Sequence, residues 1–164
     1  MIDRVRMPRY YRRAAYRRSA ARDKYSVEHN AGTIATNASG DGGVTIVPAT
    51  SVQGMRKVKH LTVNMSDFSS GDAYLALYWA LVYVPQGTTA NTLSVDGGGL
   101  YEPNQFVMGC GVFDFNGGPL RVKCPISRNL NSGDTIAFVI HAQTASAPVV
   151  STFAYNVSYA ITLQ

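Results

Sequence analysis

The residues of this chain best suited to chemistry are arginines, and they are unevenly placed. Arg4, Arg6, Arg9, Arg12, Arg13, Arg17, Arg18, Arg22 and Lys24 put nine of the fifteen cationic side chains into residues 1–24. Asp3 and Asp23 are the only acids there, so nine cations stand against two acids, a net charge of +7. The other 140 residues carry six cations and eight acids, a net of −2. Clustered guanidinium groups bind phosphate through paired, charge-assisted hydrogen bonds. Tyr10, Tyr11, Tyr16 and Tyr25 lie among these cations and offer faces on which unpaired bases stack. Cationic and aromatic residues in alternation suit a single strand bound without sequence preference. The same arginine density also reads as a nuclear localisation signal.

A second basic set lies further along: Arg56, Lys57, Lys59, Arg121, Lys123 and Arg128. Isolated cations on strands commonly keep sheet edges solvated. Read functionally, Arg56, Lys57 and Lys59 extend a nucleic-acid surface to where the arm leaves the body. Other chemistry finds no support. His29, His60 and His141 fall on separate expected strands without metal-ligand spacing, and Cys110 and Cys124 lack a CxxC partner, so we expect no metal site. A bridge between the two cysteines is conceivable across an expected hairpin, but without signs of secretion both read as reduced and packed. No phosphate-cradling, nucleophile-elbow or zinc-protease motif occurs, and Gly97–Gly99 leads into loop, not helix. Asp41, Asp67, Asp72, Asp96 and Asp134 read as turn residues. We expect no catalytic residues, no cofactor and no enzymatic activity. The NxS triplets at Asn37, Asn64 and Asn156 would matter only in a secreted protein.

The elements that must position these side chains read as strands. Self-repulsion and a lack of aliphatic residues leave the arm, residues 1–24, disordered when alone. Binding a polyanion could induce a short helix after Pro8. Residues 25–164 form one domain with strands expected at 25–36, 44–49, 55–65, 73–84, 106–115, 119–126, 135–143 and 153–164. Segments 106–115 and 119–126, joined by Asn116-Gly117-Gly118, are expected to form a hairpin. Leu61, Val63 and Met65 share one face of their strand. Phe153, Tyr155, Val157, Tyr159, Ile161 and Leu163 share one face of the last, on which the chain is expected to end. AYLALYWALVYV (73–84) is apolar on both faces and, at about 12 residues, too short to span a bilayer. Its second face needs cover from a long loop or a neighbouring subunit. About eight strands with short turns define an all-β fold, an eight-stranded antiparallel jelly-roll sandwich preceded by a basic arm. The long connection 86–105 reads as a contact loop.

The chain also resembles a known family. RYYRRAAYRRSAARDKY, GMRKVKHLTVNM, YWALVYVPQGTTANTL, GLYEPNQFVMGCGVFDF, GPLRVKCPISRNLNSGD and a final YAITLQ occur in order over most of its length. Together they resemble the capsid protein of circovirus-like viruses, which carry circular single-stranded DNA and encode a replication initiator. The resemblance implies a single jelly roll and a homo-oligomeric shell of about sixty copies with the smallest icosahedral symmetry. It also implies an arm facing inward onto a single-stranded DNA genome, a virion location, and passage through the host nucleus by the import machinery. A host surface receptor is a further implied partner. The body is shorter than in the better-known circoviruses, so surface loops are trimmed. We place inter-subunit contacts on strand 73–84 and loop 86–105, with Trp79 and Tyr101 as anchors.

Two other classes compete. A non-viral nucleic-acid-binding protein of ribosomal or chromatin type would share the arm but stay monomeric, and it leaves the two apolar faces of 73–84 without a purpose. A secreted jelly-roll trimer of lectin or cytokine type would need a signal sequence, and residues 1–24 lack the apolar run of one.

Overall fold

β-branched and aromatic residues at alternate positions favour strands that bury one face. The computed structural model, which describes residues 25–67, 74–90, 106–114, 118–144 and 150–163, consists of such strands. They are β1 (Ser26–Ala35), β2 (Asp41–Val47), β3 (Arg56–Asp67), β4 (Tyr74–Val84), β5 (Val107–Phe113), β6 (Leu120–Cys124), β7 (Arg128–Leu130), β8 (Thr135–Thr144) and β9 (Thr152–Leu163). One antiparallel sheet has the order β1-β9-β3-β6, with β7 also paired to β3, and the second has the order β2-β8-β4-β5. The result is an all-β sandwich with no helix among the described residues. Residues 1–24, with every arm cation and Tyr10, Tyr11 and Tyr16, lie outside the described residues, as do Tyr101 and most of loop 86–105.

The core lies between the sheets, where Phe138, Phe153, Ile46, Leu61, Leu77, Leu81 and Leu130 are almost fully buried. Each such side chain contributes about 1.5–3 kcal/mol through removal from water. β9 follows its period of two, with Phe153, Tyr155, Val157 and Tyr159 buried. β3 does not keep one period throughout. Arg56 and Val58 face inward, then Leu61, Val63 and Met65. The three-residue step is a bulge: β3 advances from Lys59 to Thr62 while β9 advances only from Ala160 to Ser158. His60 takes up the extra residue with φ 55°. Without that bulge, the two halves of β3 would bury opposite faces.

β4 is buried on both sides, as its composition requires. Leu77, Leu81 and Tyr83 join the main core, whereas Ala80 packs with Val139, Tyr78, Val82 and Ala90 on the outer face of the second sheet. Ala90 comes from the connection following β4, so the start of that loop supplies part of the cover.

Three expectations need correction. Segments 106–115 and 119–126 do not form a hairpin: β5 pairs with β4 in one sheet and β6 with β3 in the other. The chain therefore passes from one sheet to the other between β5 and β6. A ninth strand, β7, follows β6 along β3, because SRNLNSGD holds a short paired segment before its turn. Finally, Cys110 is exposed, not packed; only Cys124 is buried, and both are free thiols.

Candidate nucleic-acid interface

Strand pairing decides which cations share a surface. In β3, Lys57 and Lys59 alternate with inward-facing Arg56 and Val58, so they project from the outer face of the first sheet. Thr62 pairs with Lys123 and Asn64 with Arg121, which brings the two β6 cations onto that face. Its other positions are Thr62, Asn64 and Ser66 on β3, Ala154, Asn156, Ser158, Ala160 and Thr162 on β9, and Val27, His29, Ala31 and Thr33 on β1. Among the described residues this face carries four full positive charges and no carboxylate. The four cations follow β3 and β6 over roughly 20 Å at about 3.3 Å per residue. The Lys59 ammonium lies 4.7 Å from the centroid of the Tyr25 ring. Tyr25 is the residue to which the arm is joined, so the basic segment and the basic face meet there.

Arg56 sits differently from its neighbours. It is buried, its Nη1 donates to the Pro48 carbonyl and its Nη2 to the Asp134 carbonyl, both at 3.1 Å, and Nε finds no protein acceptor. A guanidinium so placed holds the β2–β3 connection against the turn before β8 and offers no donor to an external phosphate. Trp79, the expected interface anchor, lies in the inward row of β4 and is half-buried. Its ring stacks on Phe138 with centroids 6.3 Å apart. A Cβ added at Gly111 would lie 2.9 Å from that indole, so glycine there makes room for the ring.

Around Arg56 lies a polar cluster that reading the sequence for turns did not reveal. Asp134 Oδ2 accepts hydrogen bonds from the Tyr83 hydroxyl and the Asn131 N–H, both at 2.7 Å, and Oδ1 accepts from the Gln86 N–H at 3.1 Å. Burial alone would raise the Asp134 carboxyl, but these hydrogen bonds outweigh it and hold it below the usual carboxylate range. Burial and the bond to Asp134 push the Tyr83 phenol upward, opposed by the Arg128 charge. The Arg128 guanidinium lies 4.2 Å from the centroid of the Tyr83 ring. The available signal was SRNLNSGD, where an Asp after Ser-Gly caps a turn; nothing local indicated that Tyr83 would meet it.

Of the candidate metal ligands, His141 Nδ1 sits 2.7 Å from Asp41 Oδ1, while His29 and His60 are exposed on other strands. No group of three or more His, Cys, Asp or Glu among the described residues is placed to hold a metal.

The fold and face define an all-β sandwich with one cationic outer surface. No family model matches the chain, and no curated protein matches it. Among solved structures, it is similar to a chain of the empty head of turnip yellow mosaic virus, with a TM-score of 0.44 and 15% identity. That alignment covers 100% of this chain and 86% of the other.

Proposed function

We propose that this protein is a structural shell subunit that self-assembles and packages single-stranded nucleic acid with its arginine-rich arm and the cationic face beside it. The observation that carries the reading is the union of two basic surfaces. An arm of net +7 joins the body at Tyr25, whose ring lies against the Lys59 ammonium on a face bearing Lys57, Lys59, Arg121 and Lys123 and, among the described residues, no acid. A polyanion neutralised by the arm continues across that face without meeting a repelling charge. The strand orders β1-β9-β3-β6 and β2-β8-β4-β5 support a jelly roll in which β6 and β7 act as one interrupted strand. DNA as cargo, a closed shell of about sixty copies and nuclear import rest on the resemblance to circovirus-like capsid proteins.

The test compares the full chain with a form lacking residues 2–24, by negative-stain electron microscopy and by the 260/280 nm absorbance ratio of sedimenting material. Closed particles from both forms, with nucleic acid only in the full chain, are the expected result. A soluble monomer under all salt conditions would remove the shell reading and favour a monomeric nucleic-acid-binding protein.

A further inference from the structure

At the edge where β7 pairs with the beginning of β3, Lys57, Tyr83, Ser127, Arg128, Asn129 and Asn131 line an open pocket of about 450 Å³. Its charged side chains are both cations, and its other polar groups are amides and hydroxyls. The nearby carboxylate, Asp134, is occupied by Tyr83, Asn131 and Gln86. Neither Lys57 nor Arg128 lies within ion-pairing distance of a carboxylate among the described residues. The Arg128 guanidinium is also pre-positioned: it lies against the Tyr83 ring, and Tyr83 is itself held by the 2.7 Å bond to Asp134. A fork fixed before binding loses little side-chain entropy when it takes up an anion.

The pocket adjoins the cationic outer face at Lys57, while Arg128, paired with inward-facing Val58, lies on its inner side. Lys59 stacks with Tyr25 where the arm begins, and Lys57, two residues earlier on the same outward row, lines the pocket. We propose that this pocket seats one nucleotide of the bound strand, its phosphate held between Lys57 and Arg128 and contacted by the amides of Asn129 and Asn131. The volume falls within the range of small-ligand sites and suits a nucleotide better than an isolated ion. The assignment rests on the single-strand reading above and adds to it a discrete phosphate site on the folded body, distinct from the diffuse charge of the arm.

Two measurements on the full chain test it. The first is equilibrium binding of thymidine 5′-monophosphate, thymidine and inorganic phosphate at low salt. The monophosphate binds at one site per chain, inorganic phosphate competes for it more weakly, and thymidine does not bind. The double variant Lys57→Gln/Arg128→Gln weakens the monophosphate by at least about tenfold, close to the free energy of a charge-assisted contact. Arg128→Lys keeps the charge but loses the planar fork and the stack on Tyr83, and weakens binding several-fold. The second is photocrosslinking of a 5-iodouracil oligonucleotide, with the sites mapped by mass spectrometry. Crosslinks fall both in the arm and within 127–131, and those within 127–131 vanish in the double variant. Thymidine binding as well as its monophosphate, or crosslinks confined to the arm, would overturn the pocket while leaving the arm's role intact. A full chain that binds no oligonucleotide at all would remove the single-strand reading along with it.

Discussion

Asp134 accepts three hydrogen bonds at its carboxylate, and its main-chain carbonyl accepts another from Arg56. One residue thus links β3, the end of β4 and the turn before β8. Replacing a carboxylate that only accepts by an amide that must also donate sets an N–H against at least one of these donors. Asp134→Asn should therefore destabilise the body by about 3 kcal/mol, the cost of disrupting buried bonds to a charged group. Chemical denaturation at pH 7 measures it. The pH dependence has a definite sign. The folded carboxyl is held below its ordinary range, so its contribution is fully present above the unfolded value, about 4, and is lost progressively as pH falls from there through the folded value. The gap between wild type and variant should close on acidification. Tyr83 behaves oppositely. Its raised phenol contributes below the ordinary value, about 10, and that contribution disappears as pH rises through the folded one. An equal gap at pH 7 and pH 3 would show that the carboxylate charge is not what the site uses.

The individual strands were largely legible from alternation, because a half-buried strand must repeat every two residues. β9 shows this most directly, and the two-sided burial of β4 followed from its composition. Legibility failed where a decision depended on a distant partner. β5 and β6, either side of Asn116-Gly117-Gly118, have the local pattern of a hairpin. Whether a turn stays within one sheet or crosses between two is set by the strands that accept them, here β4 and β3. Arg56 likewise looked like its neighbours Lys57 and Lys59. Only the bulge and the pairing of β3 show that it faces inward and they face out. The bulge itself gives the element-scale prediction. His60 adopts φ 55°, a conformation that glycine reaches freely and β-branched residues resist. His60→Gly should be neutral or stabilising by up to about 1 kcal/mol, and His60→Val destabilising by about 1–2 kcal/mol. Thermal melts of the two variants decide it. A glycine variant less stable than the valine variant would mean that the histidine side chain, not its backbone, holds the bulge.

At the scale of the whole molecule, the charge is divided between parts that should act differently on one polyanion. The arm has net +7, while the body is nearly neutral overall yet displays Lys57, Lys59, Arg121 and Lys123 together on one face. Counterion release makes the logarithm of affinity fall linearly with the logarithm of salt, with a slope for single strands of about −0.7 per phosphate neutralised. An arm neutralising about 7 phosphates alone predicts a slope near −5. Four further cations on the face add about −3, so the full chain should approach −8. Removing residues 2–24 should leave about −3, and replacing the four face cations by Gln in the full chain should restore about −5. Titrating a fluorescent oligothymidylate at several salt concentrations measures all three. A slope unchanged by the four substitutions would confine binding to the arm. A slope flatter than about −2 for the full chain would exclude the arm itself. If the losses from arm and face simply add, the two basic surfaces contact different phosphates of one strand, as expected of an arm that leads nucleic acid onto the face from which it departs.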